Sequence, residues 1–220
     1  MSYGNYGIPG VPLLPPGGPG INAVPMELPK DVVRVGEQSL WSTAQLAAGA
    51  LANTTTRLFT TPIGQVGQGF AAALTLSETN LKEGSRIPAG LAYDCFGCAF
   101  IWYPNAANFM NTLDAQNIYN HGVLSWDFLQ TVIDVAPVAL VGAGGGIYGL
   151  SVDQAGAATQ ATVNNGAGGL WVYRRHPVSL PANSTFNMLL RFGAGAQALN
   201  AITNVKVALI GAYRQAVEIA

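Results

Sequence analysis

From Asp31 onward the chain breaks into short runs rich in Val, Thr, Leu and aromatic residues, each closed by Gly, Pro or Asn. Branched and aromatic side chains suit a pleated, half-buried backbone, and the closing residues supply turns, so this texture restricts the chain to a β-rich fold. Residues 57–61, 70–76, 91–103, 123–133, 135–141, 169–174, 185–192 and 204–218 read as strands. Alternation of apolar and polar positions is clearest in 187–192 and 205–214, whereas other runs are apolar throughout, as expected of a sheet covered on both sides. Two stretches fit a helix instead. Residues 42–52 are rich in Ala and Leu, and 106–119 place Phe109, Met110, Leu113 and Tyr119 at roughly helical spacing. With no alternation of strand and helix, the expected fold is all-β: a single eight-stranded antiparallel jelly-roll sandwich with a short inserted helix.

The surface of such a fold would be poor in charge. Only 10% of residues are charged, where about 25% is usual. A folded monomer of 22.9 kDa exposes on the order of 9,500 Å², and the chain has 10 Lys and Arg and 11 Asp and Glu to spread over it. Much of that surface must be neutral polar, or apolar and covered by something else. Repeated self-association accounts for both. The net charge of -1 and the lack of any Lys or Arg run predict no strong direct binding to nucleic acid.

Residues 1–30 differ in kind. They hold seven prolines and six glycines without a three-residue glycine period, which excludes a collagen helix. Such a segment cannot sustain a backbone ladder, so we read it as an extended N-terminal arm preceding a sandwich domain at 31–220. Tyr3, Tyr6, Ile8, Leu13, Leu14 and Ile21 punctuate it, and these side chains call for a partner surface. The arm has neither the basic nor the apolar block of a secretory signal, and the expected site of synthesis is the cytoplasm. The uncharged run 135–152 approaches the length of a membrane span, but Pro137 and the glycines after Gly142 argue for a strand and a loop.

Chemical motifs are present only in outline. Gly144-x-Gly146-x-x-Gly149 follows an apolar run, yet no Asp or Glu occurs between Asp153 and Glu218, so the ribose partner of a dinucleotide site is missing. Cys95-Phe-Gly-Cys98 has redox spacing, but it lies inside a predicted strand, where positions three apart face opposite sides unless a bulge at Gly97 intervenes. His121 and His176 each lack a nearby Cys or acidic cluster, so no metal is expected. Asp94, Asp127 and Asp134 lie in or beside strands and could meet, although nothing in the sequence pairs them, and no G-x-S-x-G elbow anchors a nucleophile. The one basic cluster, Arg174-Arg175-His176, ends a predicted strand and suits a sheet edge or subunit contact. Asn53-Thr-Thr and Asn183-Ser-Thr match the glycosylation triplet and read as exposed polar turns. The chain is therefore expected to be neither an enzyme nor a cofactor protein.

Three groups of segments carry a resemblance: 57–65 with 79–81 and 87–90; Leu124-Ser-Trp-Asp-Phe128 with Pro137 and 144–149; and 177–183 with Phe186 and 205–214. Together they resemble the jelly-roll capsid proteins of tailless icosahedral bacterial viruses. The resemblance implies a major capsid subunit of a virion that packs against copies of itself, with a second capsid or spike protein or an internal membrane as further partners. It implies no catalytic residues. Tyr3, Tyr6, Leu13, Leu14, Arg174 and Arg175 are the expected assembly contacts. The competing expectation is a carbohydrate-binding or adhesive sandwich that uses Trp102, Tyr103, Trp126, Trp171 or Tyr173 as a stacking platform.

Overall fold

Backbone pairing in a computed structural model gives two antiparallel sheets. It describes residues 32–104, 112–128, 130–141, 171–173 and 177–216. The larger sheet is built on two long strands, β4 (Leu91–Pro104) and β10 (Thr203–Ala216), paired along their whole length. β1 (Val32–Glu37) and β2 (Leu40–Leu46) run end to end along the free edge of β10, and the Gln38 N–H to Gly211 carbonyl bond bridges the break between them. On the far edge of β4, β7 (Trp171–Val172) and β8 (Val178–Leu180) do the same. Six strands thus occupy four lines, in the order β1/β2, β10, β4, β7/β8. The smaller sheet is β3 (Thr55–Leu58), β9 (Phe186–Phe192), β5 (Gly122–Phe128) and β6 (Thr131–Pro137), in that order.

The inward positions of both sheets make one core. Tyr93, Cys95, Cys98, Phe100 and Trp102 of β4 and Val205, Val207 and Leu209 of β10 meet Leu124, Trp126, Phe186, Met188 and Leu190 of the smaller sheet. The switch from odd to even positions within β4 marks a bulge: Ile210 pairs with Gly97 and Gly211 with Cys95, so Phe96 is the extra residue. Gly211 opposite the bulge has no room for a side chain, because a Cβ there would lie 2.2 Å from the Asp94 carbonyl oxygen. The core therefore needs glycine at that point.

Helix α1 (Thr112–His121) lies between β4 and β5, with Asp114 in its positive first turn and His121 in its last. Asp114 is buried and accepts bonds from the backbone N–H groups of Asn200 and Ala201 and from the Asn200 amide. Asn117 clamps Gln197 through both its amide atoms. These contacts fasten the helix to the β9–β10 connection. A short helix, α2 (Val138–Val141), follows β6 and buries Val138 and Val141.

Several expectations change. Residues 42–52 are not helical: 42–46 belong to β2, whose alternate residues Leu40, Ser42, Ala44 and Leu46 are buried against the core while β10 supplies the ladder. Helix propensity of Ala and Leu is a weak preference that tertiary pairing overrides. Residues 70–76 form no strand. They sit in a segment, 59–81, folded on itself through Gly64–Leu74 and Leu74–Gln65 bonds and laid along the edge of β2. There the Thr43 hydroxyl bonds the Glu78 carbonyl, the Trp41 indole bonds the Leu76 carbonyl and Gln45 N–H bonds Gln68, which covers an edge that would otherwise be open. The expected strands 123–133 and 135–141 are instead the β5–β6 hairpin followed by α2. The expected helix within 106–119 is present as α1.

Candidate interaction surfaces

Two aromatic pairs of period two face each other where β5 and β6 approach β7 and β8. Trp126 and Phe128 come from β5, and Trp171 and Tyr173 from the β7 line. With Ile133, Asp134 and Val135 of β6 and Val178 of β8 they line an open slot of about 290 Å³. The Trp126 indole N–H donates to the Tyr173 hydroxyl at 2.7 Å, and that hydroxyl lies 3.9 Å from Cys98 Sγ. The Tyr173 N–H is taken by the Phe96 carbonyl at the bulge. Burial, and then the neighbouring Cys98 and Cys95 thiols, push the Tyr173 phenol well up, so it stays neutral. The slot is thus mostly apolar, with its central polar atoms already paired and Asp134, paired with Arg191, at its edge. Ile133 on its rim is 55% exposed.

The outer face of each sheet carries one ion pair. On the larger sheet, the positions alternating with the core residues include Phe96, Ala99, Ile101, Asn204, Lys206, Ala208, Ile210 and Ala212, of which Ala99, Asn204 and Ala212 are themselves buried. Its ionic pair is internally neutralised: Asp94, almost wholly buried, holds Arg214 at 2.5 Å, and Ser179 bonds both. Lys206 donates to the Ser77 carbonyl. On the smaller sheet the outward positions include Asp127, Asp134 and Arg191, with Arg191 on Asp134 at 2.9 Å and Ser125 bonded to the same carboxylate. The edge strand β6 begins with four exposed residues, Thr131 to Asp134, among them Val132 and Ile133.

This arrangement decides several sequence-derived candidates. Asp94 lies on one outer face and Asp127 and Asp134 on the other, so the three carboxylates do not converge. Cys95 and Cys98 do share the core side, because the bulge shifts the alternation between them; the regular-strand expectation of opposite faces fails here. Both are free, buried thiols. Desolvation raises the Cys98 thiol to about 11 and the Cys95 thiol further, which is the reverse of what a reactive pair needs. Among the described residues no three His, Cys, Asp or Glu side chains come together as metal ligands. No helix among them is long and apolar enough to cross a membrane.

Of the stacking candidates, Trp102 and Trp126 are core residues, and Trp171 and Tyr173 are half-buried against the core. The side chain of Tyr103 falls outside the described residues, as do Tyr3, Tyr6, Leu13, Leu14, Arg174 and Arg175 and the Gly144–Gly149 motif. The slot itself was not foreseen. Its signal is the pair of motifs Trp-x-Phe and Trp-x-Tyr, each placing two aromatics on one face of a strand. Nothing local says that the two strands face each other. The molecule so defined is an antiparallel β-sandwich-like protein with two helices among the described residues. No family model and no curated protein matches the chain.

Proposed function

We propose that the chain is a single jelly roll and the major capsid subunit of an icosahedral virus, built to be covered by copies of itself. Merging β1 with β2 and β7 with β8 gives eight strand lines, and numbering them along the chain puts lines 1, 8, 3 and 6 in one sheet and 2, 7, 4 and 5 in the other. That interleaving is what two nested Greek keys produce. Fold alone does not carry function. The observation that carries the reading is the outer face of the larger sheet, where Phe96, Ile101, Ala208 and Ile210 are only half-buried, Lys206 is bonded to the Ser77 carbonyl and the Asp94–Arg214 pair is closed on itself. Such a face gains from burial against a largely neutral neighbour.

Assembly is then a matter of geometry. Modest contacts between wedge-shaped subunits, repeated under closed symmetry, hold a shell that no single contact would hold. The arm fastens neighbours, and the place of the protein is the virion. Sedimentation of the full-length chain over a rising concentration series tests the reading. It predicts a concentration-dependent shift from a 22.9 kDa species to large assemblies that persist at high salt, since neutral contacts are not screened. A monomer at every concentration would contradict it. The sugar-binding alternative has less support, because Trp102 and Trp126 are buried and the Trp126 N–H is already bonded.

A further inference from the structure

We propose that residues 8–16 of one copy dock in the slot between β5–β6 and β7–β8 of a second copy, with Val11 and Leu14 filling it. The inference rests on the self-assembly reading above. In Ile8-Pro-Gly-Val-Pro-Leu-Leu-Pro-Pro16, prolines recur at 9, 12 and 15, and Ile8, Val11 and Leu14 recur with the same period. A polyproline II helix has three residues per turn, so each set forms one stripe along it and the two stripes adjoin. Residues 1–26 carry no charged side chain. This segment is the chemical match of an aromatic-walled groove, the usual receptor for proline-rich helices.

The slot fits that occupant better than its rivals. Half-buried Trp171, Tyr173 and Phe128 give it aromatic walls above the buried Trp126, and Ile133 and Val135 give it an aliphatic rim, with Asp134, held by Arg191, at its edge. At about 290 Å³ it is at the low end for a small-molecule site and suits a few aliphatic side chains. Because the Trp126 N–H already bonds Tyr173, an occupant rich in proline, which has no N–H, leaves few donors unpaired on entry. Prolines at every third position also prevent the arm from adding to the exposed edge of β6 as a regular strand. The arm enters the larger sheet at β1, the edge opposite β7 and β8. From Leu14 to Val32 an extended chain reaches roughly 55 Å, more than the roughly 45 Å breadth of a domain this size, so a neighbour's slot is within reach.

Photo-crosslinking of the full-length protein tests this. p-Benzoylphenylalanine is placed at position 14, equal amounts of isotopically light and heavy protein are mixed before assembly, and linked peptides are mapped by mass spectrometry. The expected result is linkage to 126–135 or 171–178, with mixed light–heavy pairs at the statistical proportion. Ile133→Asp should lower that linkage roughly tenfold, as loss of an anchor contact does, while Ile63→Asp, an exposed isoleucine in the 59–81 segment, leaves it unchanged. Linkage to other surfaces, or only within one copy, would overturn the inference. Particle formation, scored by electron microscopy on the same samples, separates the two claims: particles with linkage elsewhere defeat the docking site alone, and no assembly at all defeats the capsid reading.

Discussion

Phe96 sets the geometry of β4, and its consequences are chemical as well as structural. The extra residue turns Cys98, Phe100 and Trp102 onto the same side as Tyr93 and Cys95, and puts both thiols in the core. Burial then keeps them neutral. Since the Cys98 thiol rises from 9.0 to about 11 on folding, the folded state binds its proton more tightly than the unfolded state. Its contribution to stability is complete below the unfolded value and is lost as pH climbs towards the folded one. Urea unfolding should show a plateau up to about pH 9 and a fall above it, and Cys95→Ala with Cys98→Ala should flatten the first part of that fall. An unchanged slope would count against buried thiols. On the opposite face, Asp94 is nearly dry beside Arg214. Asp94→Ala leaves that guanidinium uncompensated and should cost about 3 kcal/mol, whereas adding Arg214→Met should restore part of the loss. A double-mutant cycle by chemical denaturation reads both outcomes.

At the scale of elements, what the sequence discloses depends on whether local pattern and tertiary pairing agree. β4 is a long apolar and aromatic run, β9 and β10 alternate, and the positions of all three follow from those patterns. β2 is hidden behind Ala and Leu, and β1 behind a charged, Gly-containing run. The β5–β6 hairpin is missed because its turn lacks the usual punctuation: Gln130 holds the left-handed position, at φ 62, where Gly or Asn is normal. That strain is testable, since Gln130 is exposed and should be free to change. Gln130→Gly should raise stability by about 0.5–1 kcal/mol, an inversion of the penalty glycine usually brings. A loss in thermal unfolding would mean that the turn is not left-handed. The candidate slot was less legible than the strands, because Trp126 and Trp171 lie on different sheets and only the long-range order brings them together.

For the whole molecule, the scarcity of charge bears on how its surface is covered. Composition alone says that a chain with 10% charged residues has a surface that needs cover. The outer face of each sheet carries one closed ion pair, Arg191 on Asp134 and Arg214 on Asp94, and half-buried apolar side chains fill much of the rest of the larger sheet's face. An apolar slot and an exposed edge strand lie beside each other at β6. Such a molecule is expected to pack side by side with its own kind, through contacts too small to hold a dimer tightly yet sufficient when closed symmetry repeats them. Electron microscopy of the purified full-length protein at high concentration tests this most directly. The account predicts closed particles of uniform diameter; a field of dispersed monomers under all salt and pH conditions would contradict it.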